Sequence, residues 1–420
     1  MVMGPIAIFV ILIFFFTLIS KRIEKTILTA PIIFTLAGMF VYLISPRLAE
    51  LELHNHTILL IAELTLALLL FTDATRIDFR KLLKETILPG RLLGIGMPLT
   101  ILAGTIAAML VFHDFPIWEA ALLAVILAPT DASLGQVVVK SQLVPERIRQ
   151  ALNVEAGLND GLAMPLFTLF VGLAAETDPL LSGNWLLYSV EQIFFGIFTG
   201  IILGRLGGWL IGEAGNRGWI DESVQQLGLL ALALMCYGGA VLIGGNGFIA
   251  AFTGGLLVKR GFEDAHFHTS EFSEAWGQLL NYFVFFIFGM IAAQVLPQFD
   301  VTTLIFALLS LTFVRMIPVA VAMIRTRLNP ATVLFMGWFG PRGLASIVLG
   351  LVFLEREVEL SYGTIIIQAV AATVLISIFA HGVSALPGIK WYTRRIEDLD
   401  ESALELQEPV SLVPGMEPKS

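Results

Sequence analysis

Charge is what this sequence has least of. Only 14% of its 420 residues are Asp, Glu, Lys or Arg, and 57% are hydrophobic. A soluble globular chain carries about 25% charged residues, so an ordinary water-soluble domain is excluded. An excess of positive charge is missing as well: the formal net charge is −9, which leaves no basic face for nucleic acid. Cysteine is nearly absent. Cys236 stands alone in an apolar run, so it forms no internal disulfide, has no metal-ligand spacing, and reads as a packing residue. There is no HExxH, no Cys/His cluster and no nucleophile–base pair, so nothing points to an enzyme or to a resident cofactor. A potassium-filter sequence and a glycine-rich nucleotide fingerprint are lacking too, which weighs against a ligand-gated potassium channel. The first residues, MVMGPIAIFVILIFFFTLISKR, have no basic leader and no small-x-small cleavage site. They are expected to form a first spanning helix, not a signal peptide.

Long hydrophobic runs are abundant. A bilayer core of about 30 Å needs roughly 20 apolar residues per helix. Thirteen candidate spans follow, at 5–20, 27–45, 57–72, 92–112, 117–139, 151–174, 185–213, 224–243, 244–258, 276–296, 302–324, 330–354 and 362–386. The predicted fold is an all-α polytopic membrane protein. Basic residues test the count. Odd-numbered loops carry Lys21, Arg22, Lys25, Arg76, Arg80, Lys81, Lys84, Arg91, Lys140, Arg147, Arg149, Arg217, Lys259, Arg260, Arg325 and Arg327, whereas even-numbered loops carry only Arg47 and Arg356. The asymmetry predicts the N-terminus outside and the C-terminus in the cytoplasm, in a plasma (inner) membrane. Span 1 then starts outside and span 8 inside. The expected organisation is a transmembrane domain over 1–386 built of two inverted repeats (5–174 and 224–386) joined by a linker helix (185–213), with a short, acidic, mobile tail over 387–420.

Three segments hold groups that lipid does not tolerate. Span 5 contains ILAPTDASLG (126–135), where Pro129 is expected to break the helix beside Thr130 and Asp131. Its inverted-repeat counterpart, span 12, contains GWFGPRGLASIVLG (337–350), a second interruption around Arg342. Matched broken helices crossing near the midplane are a sequence pointer to a transporter site, and their freed carbonyls and carboxylates suit a cation. Span 6 contains NVEAGLND (153–160), with Glu155 and Asn159 one turn apart and Asp160 beside them. A membrane carboxylate costs about 2.5–3.5 kcal/mol to insert, so each needs a partner or a water-filled cavity. Arg342 cannot lose its proton, and Glu155 is its expected partner. Arg315, within span 11, adds a second permanent charge. Glu63 and Asp73 of span 3 are weaker candidates for a cytoplasmic funnel. His54, His56, His266 and His268, the last two among Glu263, Asp264, Glu271 and Glu274, read as solvated loop residues, with pH sensing the alternative. His381 reads as a satisfied packing histidine, and Arg205 as snorkelling. Glycines at 196, 200, 204, 208 and 212 form a close-approach stripe on span 7, either within the protomer or at a dimer seam.

These three motifs together resemble the NhaP-like sodium/proton antiporters, kin of the animal sodium/proton exchangers, over about residues 5–386. NVEAGLND resembles their Glu-Ser-Leu-x-Asn-Asp signature, APTDASLG their Thr-Asp unwound helix and GWFGPRGLAS their Trp-x-Gly-x-Arg-Gly helix. The resemblance implies that Asp160 binds cation or proton, that Thr130 and Asp131 help to coordinate the ion, and that Glu155 contributes through water and pairs with Arg342. It also implies that Asn159 marks the electroneutral branch, and that the protein is a homodimer. Ala156 stands where the family often has a ligating serine, so selectivity among Na⁺, Li⁺ and K⁺ is left open, with Na⁺ the first expectation. The expected function is secondary antiport of a monovalent cation for protons, the two competing for Asp160. A cation channel or membrane sensor on the same architecture is the alternative.

Overall fold

A computed structural model describes residues 3–23, 26–44, 56–76, 87–131, 133–175, 185–258, 271–356, 360–397, 399 and 403–406. The described residues form helices and connections, with no strand among them. In chain order the helices are α1 (Met3–Ile23), α2 (Ala30–Ile44), α3 (His56–Arg76), α4 (Ile87–Val111), α5 (Ile117–Ile126), α6 (Gln136–Lys140), α7 (Glu146–Ala174), α8 (Trp185–Asn216), α9 (Glu222–Leu242), α10 (Gly247–Val258), α11 (Glu271–Val295), α12 (Val301–Ala322), α13 (Pro330–Trp338), α14 (Leu344–Glu355) and α15 (Gly363–Ile396). Nine described helices are long and apolar enough to cross a bilayer; α2, α5, α10 and α14 are shorter apolar pieces. Every expected span contains one or two of these helices. His54, Glu263, Asp264, His266, His268 and residues 407–420 lie outside the described residues, as do the side chains of His56, Glu271 and Glu274.

The apolar residues divide between an interior and a lipid-type exterior. Phe34, Ala67, Leu122, Phe167, Phe286 and Val348 belong to one large buried cluster. A second cluster, with Leu92, Val144, Ile148, Ala322, Met336 and Tyr392, joins neighbouring ends of α4, α7, α12, α13 and α15. Outward, α1 is almost wholly unburied, and α8 exposes Leu187, Phe194, Phe198, Leu206 and Trp209. A solvent of hydrocarbon is what such faces require. Arg205 lies on this exposed side of α8.

The glycine stripe resolves inside the protomer. A Cβ at Gly196, Gly200, Gly204 or Gly208 would come within 2.5–2.7 Å of Asn246, just before α10, or of Ala250, Gly254 or Val258 on it. Small residues let the two backbones meet, and α8 and α10 form one of the most extensive helix pairs in the fold.

Two departures from expectation concern helix ends. The last helix does not stop near 386: α15 continues through Pro387 to Ile396, because Ile389, Tyr392 and Ile396 bury their side chains in the second cluster. Nor is the following chain wholly solvated, since Glu405 is only 2% exposed.

Candidate cation site at two crossed helix breaks

Pro129 has no N–H to donate, and α5 ends three residues before it; the chain is irregular from Leu127 until α6 begins at Gln136. The second interruption runs from Phe339 to Gly343, between α13 and α14. The two breaks touch. The Asp131 N–H donates to the Pro341 carbonyl at 2.8 Å.

Each break supplies the charge that the other's helix ends require. Asp131 Oδ2 accepts from the Leu344 N–H at 2.7 Å and so caps the start of α14. Its Oδ1 accepts from the Ser133 N–H at 2.7 Å and from Ser133 Oγ at 2.6 Å. Arg342, fully buried, donates from Nη1 to the carbonyls of Ala128 at 2.7 Å and Pro129 at 3.2 Å, which the end of α5 leaves free. An anion at a helix start and a cation at a helix end both match the backbone dipole. Gly343 makes room for this: a Cβ there would overlap Asp131 Oδ2 and crowd Leu134. Gly343→Ala is therefore expected to expel Asp131 from its cap and to lower transport by about tenfold or more. Gly337→Ala, whose Cβ would meet Met316 no closer than 3.5 Å, is expected to be tolerated. Uptake assays on the two purified variants compare them.

The expected Glu155–Arg342 pair is not formed. Glu155 instead takes Arg315 in a two-pronged pair, Nη1 to Oε1 at 2.5 Å and Nη2 to Oε2 at 2.8 Å, with both residues 2% exposed. The reason is local. Arg342 emerges inside the break, where unpaired carbonyls lie within reach, whereas Arg315 is presented by the neighbouring α12. Arg315 is accordingly interior. A Cβ at Gly340 would overlap its guanidinium, so that glycine admits the arginine.

Along α7, Asn159 Nδ2 donates to Thr130 Oγ1 at 2.8 Å, tying this helix to the first break. Asp160 Oδ1 and Asn159 Oδ1 are buried and find no hydrogen-bond partner among the described residues. A buried carboxylate oxygen without a donor suits a hard cation. Asp160 lines a cavity of about 680 Å³ together with Asp73, Asp131, Ser133, Asn153, Ala156 and Asn281. The same cavity is bounded by Ile23 at the end of α1, by Thr26 and Leu28 beyond it, and by Lys140, Glu146 and Arg149 around the α6–α7 turn. Its mouth thus lies on the side of the basic, odd-numbered loops. On the other side, Ile58, Ala62, Phe283, Ile287, Ile347 and Leu351 close around only about 10 Å³.

Asp73 reaches the cavity, as expected of a funnel residue, whereas Glu63 accepts from Tyr237 Oη at 3.0 Å. Sequence reasoning missed Asn281, a buried amide in an otherwise apolar span, and Ser377. Ser377 Oγ accepts the Arg342 N–H at 2.7 Å, and His381, one turn on, contacts both Ser377 and the Trp338 carbonyl through its two ring nitrogens. His381 is satisfied, and what it satisfies is the second break.

Crossed helix interruptions beside a buried carboxylate that lines a cavity are an arrangement of secondary transporters. The chain belongs to the sodium/hydrogen exchanger family, whose transmembrane region it matches over residues 8–391. It is 30% identical over 160 residues to a K⁺/H⁺ antiporter, NhaP2, of Shewanella sp. (strain ANA-3), a match spanning 38% of this chain and 27% of that protein. A Na⁺/H⁺ antiporter of Schizosaccharomyces pombe is 26% identical over 324 residues, covering 68% of this chain and 69% of that protein. The fold superposes with a TM-score of 0.75 on the sodium proton antiporter MjNhaP1 from Methanocaldococcus jannaschii, at 20% identity, covering 93% of this chain and 99% of that one.

Proposed function

We propose that this protein exchanges a monovalent cation for protons across a plasma (inner) membrane, with both ions competing for Asp160. The observation that carries the reading is the Asp160 carboxylate, buried yet lining a cavity that reaches the basic-loop ends of α1 and α7, with one oxygen lacking a partner among the described residues. A proton or a cation neutralises that carboxylate equally well, and a neutralised site crosses an apolar barrier at lower cost than a charged one. Competition at one group, with access alternating between sides, yields exchange. Arg315 and Arg342 keep their charge throughout, which supports one proton per cation and an electroneutral cycle. Asp131 lines the same cavity, and the bond between Asn159 and Thr130 ties the helix of Asp160 to the first break. Asp131 is engaged in capping, so its contribution is chiefly to hold the break in place. The basic residues on the mouth side support a cavity open to the cytoplasm, with the N-terminus outside; the working unit is a homodimer.

Relatives include proteins named for potassium and for sodium. Ala156 at the cavity wall offers no hydroxyl ligand, so the preferred ion is a matter for measurement, with Na⁺ the first candidate ahead of Li⁺ and K⁺. Purified protein in proteoliposomes with a trapped pH dye tests the reading. Cation-driven proton movement that ignores a voltage clamp is expected. Lowering the pH adds competing protons, so the half-saturating cation concentration should rise, by about tenfold per pH unit on the acid side. Cation uptake without proton movement would mean a channel.

A further inference from the structure

The tail carries a buried carboxylate that the transport cycle, as proposed, does not use. Glu405 Oε1 accepts from the Asn329 N–H, at the start of α13, and from Thr332 Oγ1 at 3.1 Å. Thr332 and Tyr392, both fully buried, meet through their hydroxyls at 3.1 Å beside it. One residue earlier, the Leu404 carbonyl accepts from Arg147 Nη1 at 3.2 Å, in the first turn of α7. Leu399 packs on the second apolar cluster, whose members come from α7, α13 and α15 among others. The segment thus touches the same-side ends of two helices: α7, which carries Glu155, Asn159 and Asp160, and α13, which leads into Arg342.

We propose that Leu399 and residues 403–406 act as a strap that holds the mouth-side ends of α7 and α13 as one body, with Glu405 as its positioning residue. The proposal rests on the antiport reading above. A carboxylate at the start of α13 satisfies donors that a helix N-terminus leaves open. The Arg147 contact fixes the first turn of α7 against the same segment. None of these groups lines the cation cavity except through the neighbouring Glu146 and Arg149. The strap therefore acts on movement between the two access states and not on ion binding, so its loss should slow turnover while leaving the half-saturating cation concentration in place.

The test compares full chain, a chain ending at Glu397, Glu405→Ala and Glu405→Gln, all purified to monodispersity and reconstituted. Ending at Glu397 or replacing Glu405 by Ala is expected to lower turnover about fivefold, with half-saturation moved by less than about twofold. Glu405→Gln keeps an acceptor oxygen for Asn329 and Thr332 and is expected to retain full turnover. A synthetic peptide of residues 399–410, added on the cavity-mouth side, should restore the shortened chain, which a merely misfolded protein would not allow. Unchanged or increased turnover on shortening, or a shift in half-saturation alone, overturns the strap. Should the full chain itself show no exchange, the antiport reading fails first. The docking then stands or falls on amide hydrogen exchange at Ala331 to Val333, which should quicken when the tail is removed.

Discussion

Asp160→Asn is expected to abolish cation–proton exchange and leave a folded protein. Asparagine matches the shape of aspartate but can neither bind a proton in this range nor offer a negative charge to a cation. The Asp160 Oδ1 atom has no partner among the described residues, so the substitution breaks no hydrogen bond at that atom. Replacing a buried carboxylate by an amide also removes the cost of dehydrating a charge, so thermal unfolding should not move downward. Isotope uptake and the trapped-dye assay on one preparation check both halves. Retained exchange would transfer the exchanged proton to another group, with Asp131, Asp73 and Glu146 the other carboxylates among the described residues that line the cavity. Lost exchange together with lost folding would mean that Asp160 holds the structure up.

The second large effect concerns Glu155 and Arg315. Both are almost wholly buried, and each satisfies the other at 2.5 and 2.8 Å. Removing one partner leaves a bare charge inside the bundle, at a cost of about 3–5 kcal/mol. Arg315→Met and Glu155→Met should each lower thermal stability sharply. The double substitution is expected to regain most of the loss, because two apolar chains can fill the same space without a charge to solvate. Arg315→Lys keeps the sign but loses the two-pronged geometry, and should fall between. A double variant no more stable than the singles would show that each charge also serves something outside the pair. The pair is neutral as a unit, so a folded double variant should still exchange without steady current.

Much of this arrangement is legible in the sequence, for definable reasons. Apolar run length places helices in all thirteen expected spans, because lipid allows few other backbones. Proline and glycine mark both breaks, at Pro129 and around Pro341, since each acts on its own turn. The helical repeat puts Glu155 and Asn159 one turn apart without any tertiary knowledge. Which helix stands beside which is another matter. Periodicity does not say that α12 presents Arg315 to α7, so the arginine assigned to Glu155 was the wrong one of two. The glycine stripe on α8 declares close packing but not its partner, α10. Glu405 lies in a segment whose acidity and prolines resemble a solvated tail, and only the fold reveals the Asn329 N–H and Thr332 hydroxyl that it meets.

The reciprocal caps at the crossed breaks carry a rule for how this sequence can drift. Glu155 and Arg315 bond side chain to side chain, so the pair itself does not dictate which position carries which sign. Asp131 and Arg342 answer to the chain's own direction: one faces backbone N–H groups, the other backbone carbonyls. Every L-polypeptide helix presents those groups at the same ends. No compensating substitution elsewhere can exchange the two signs, so this half of the site is written in the polarity of the main chain itself.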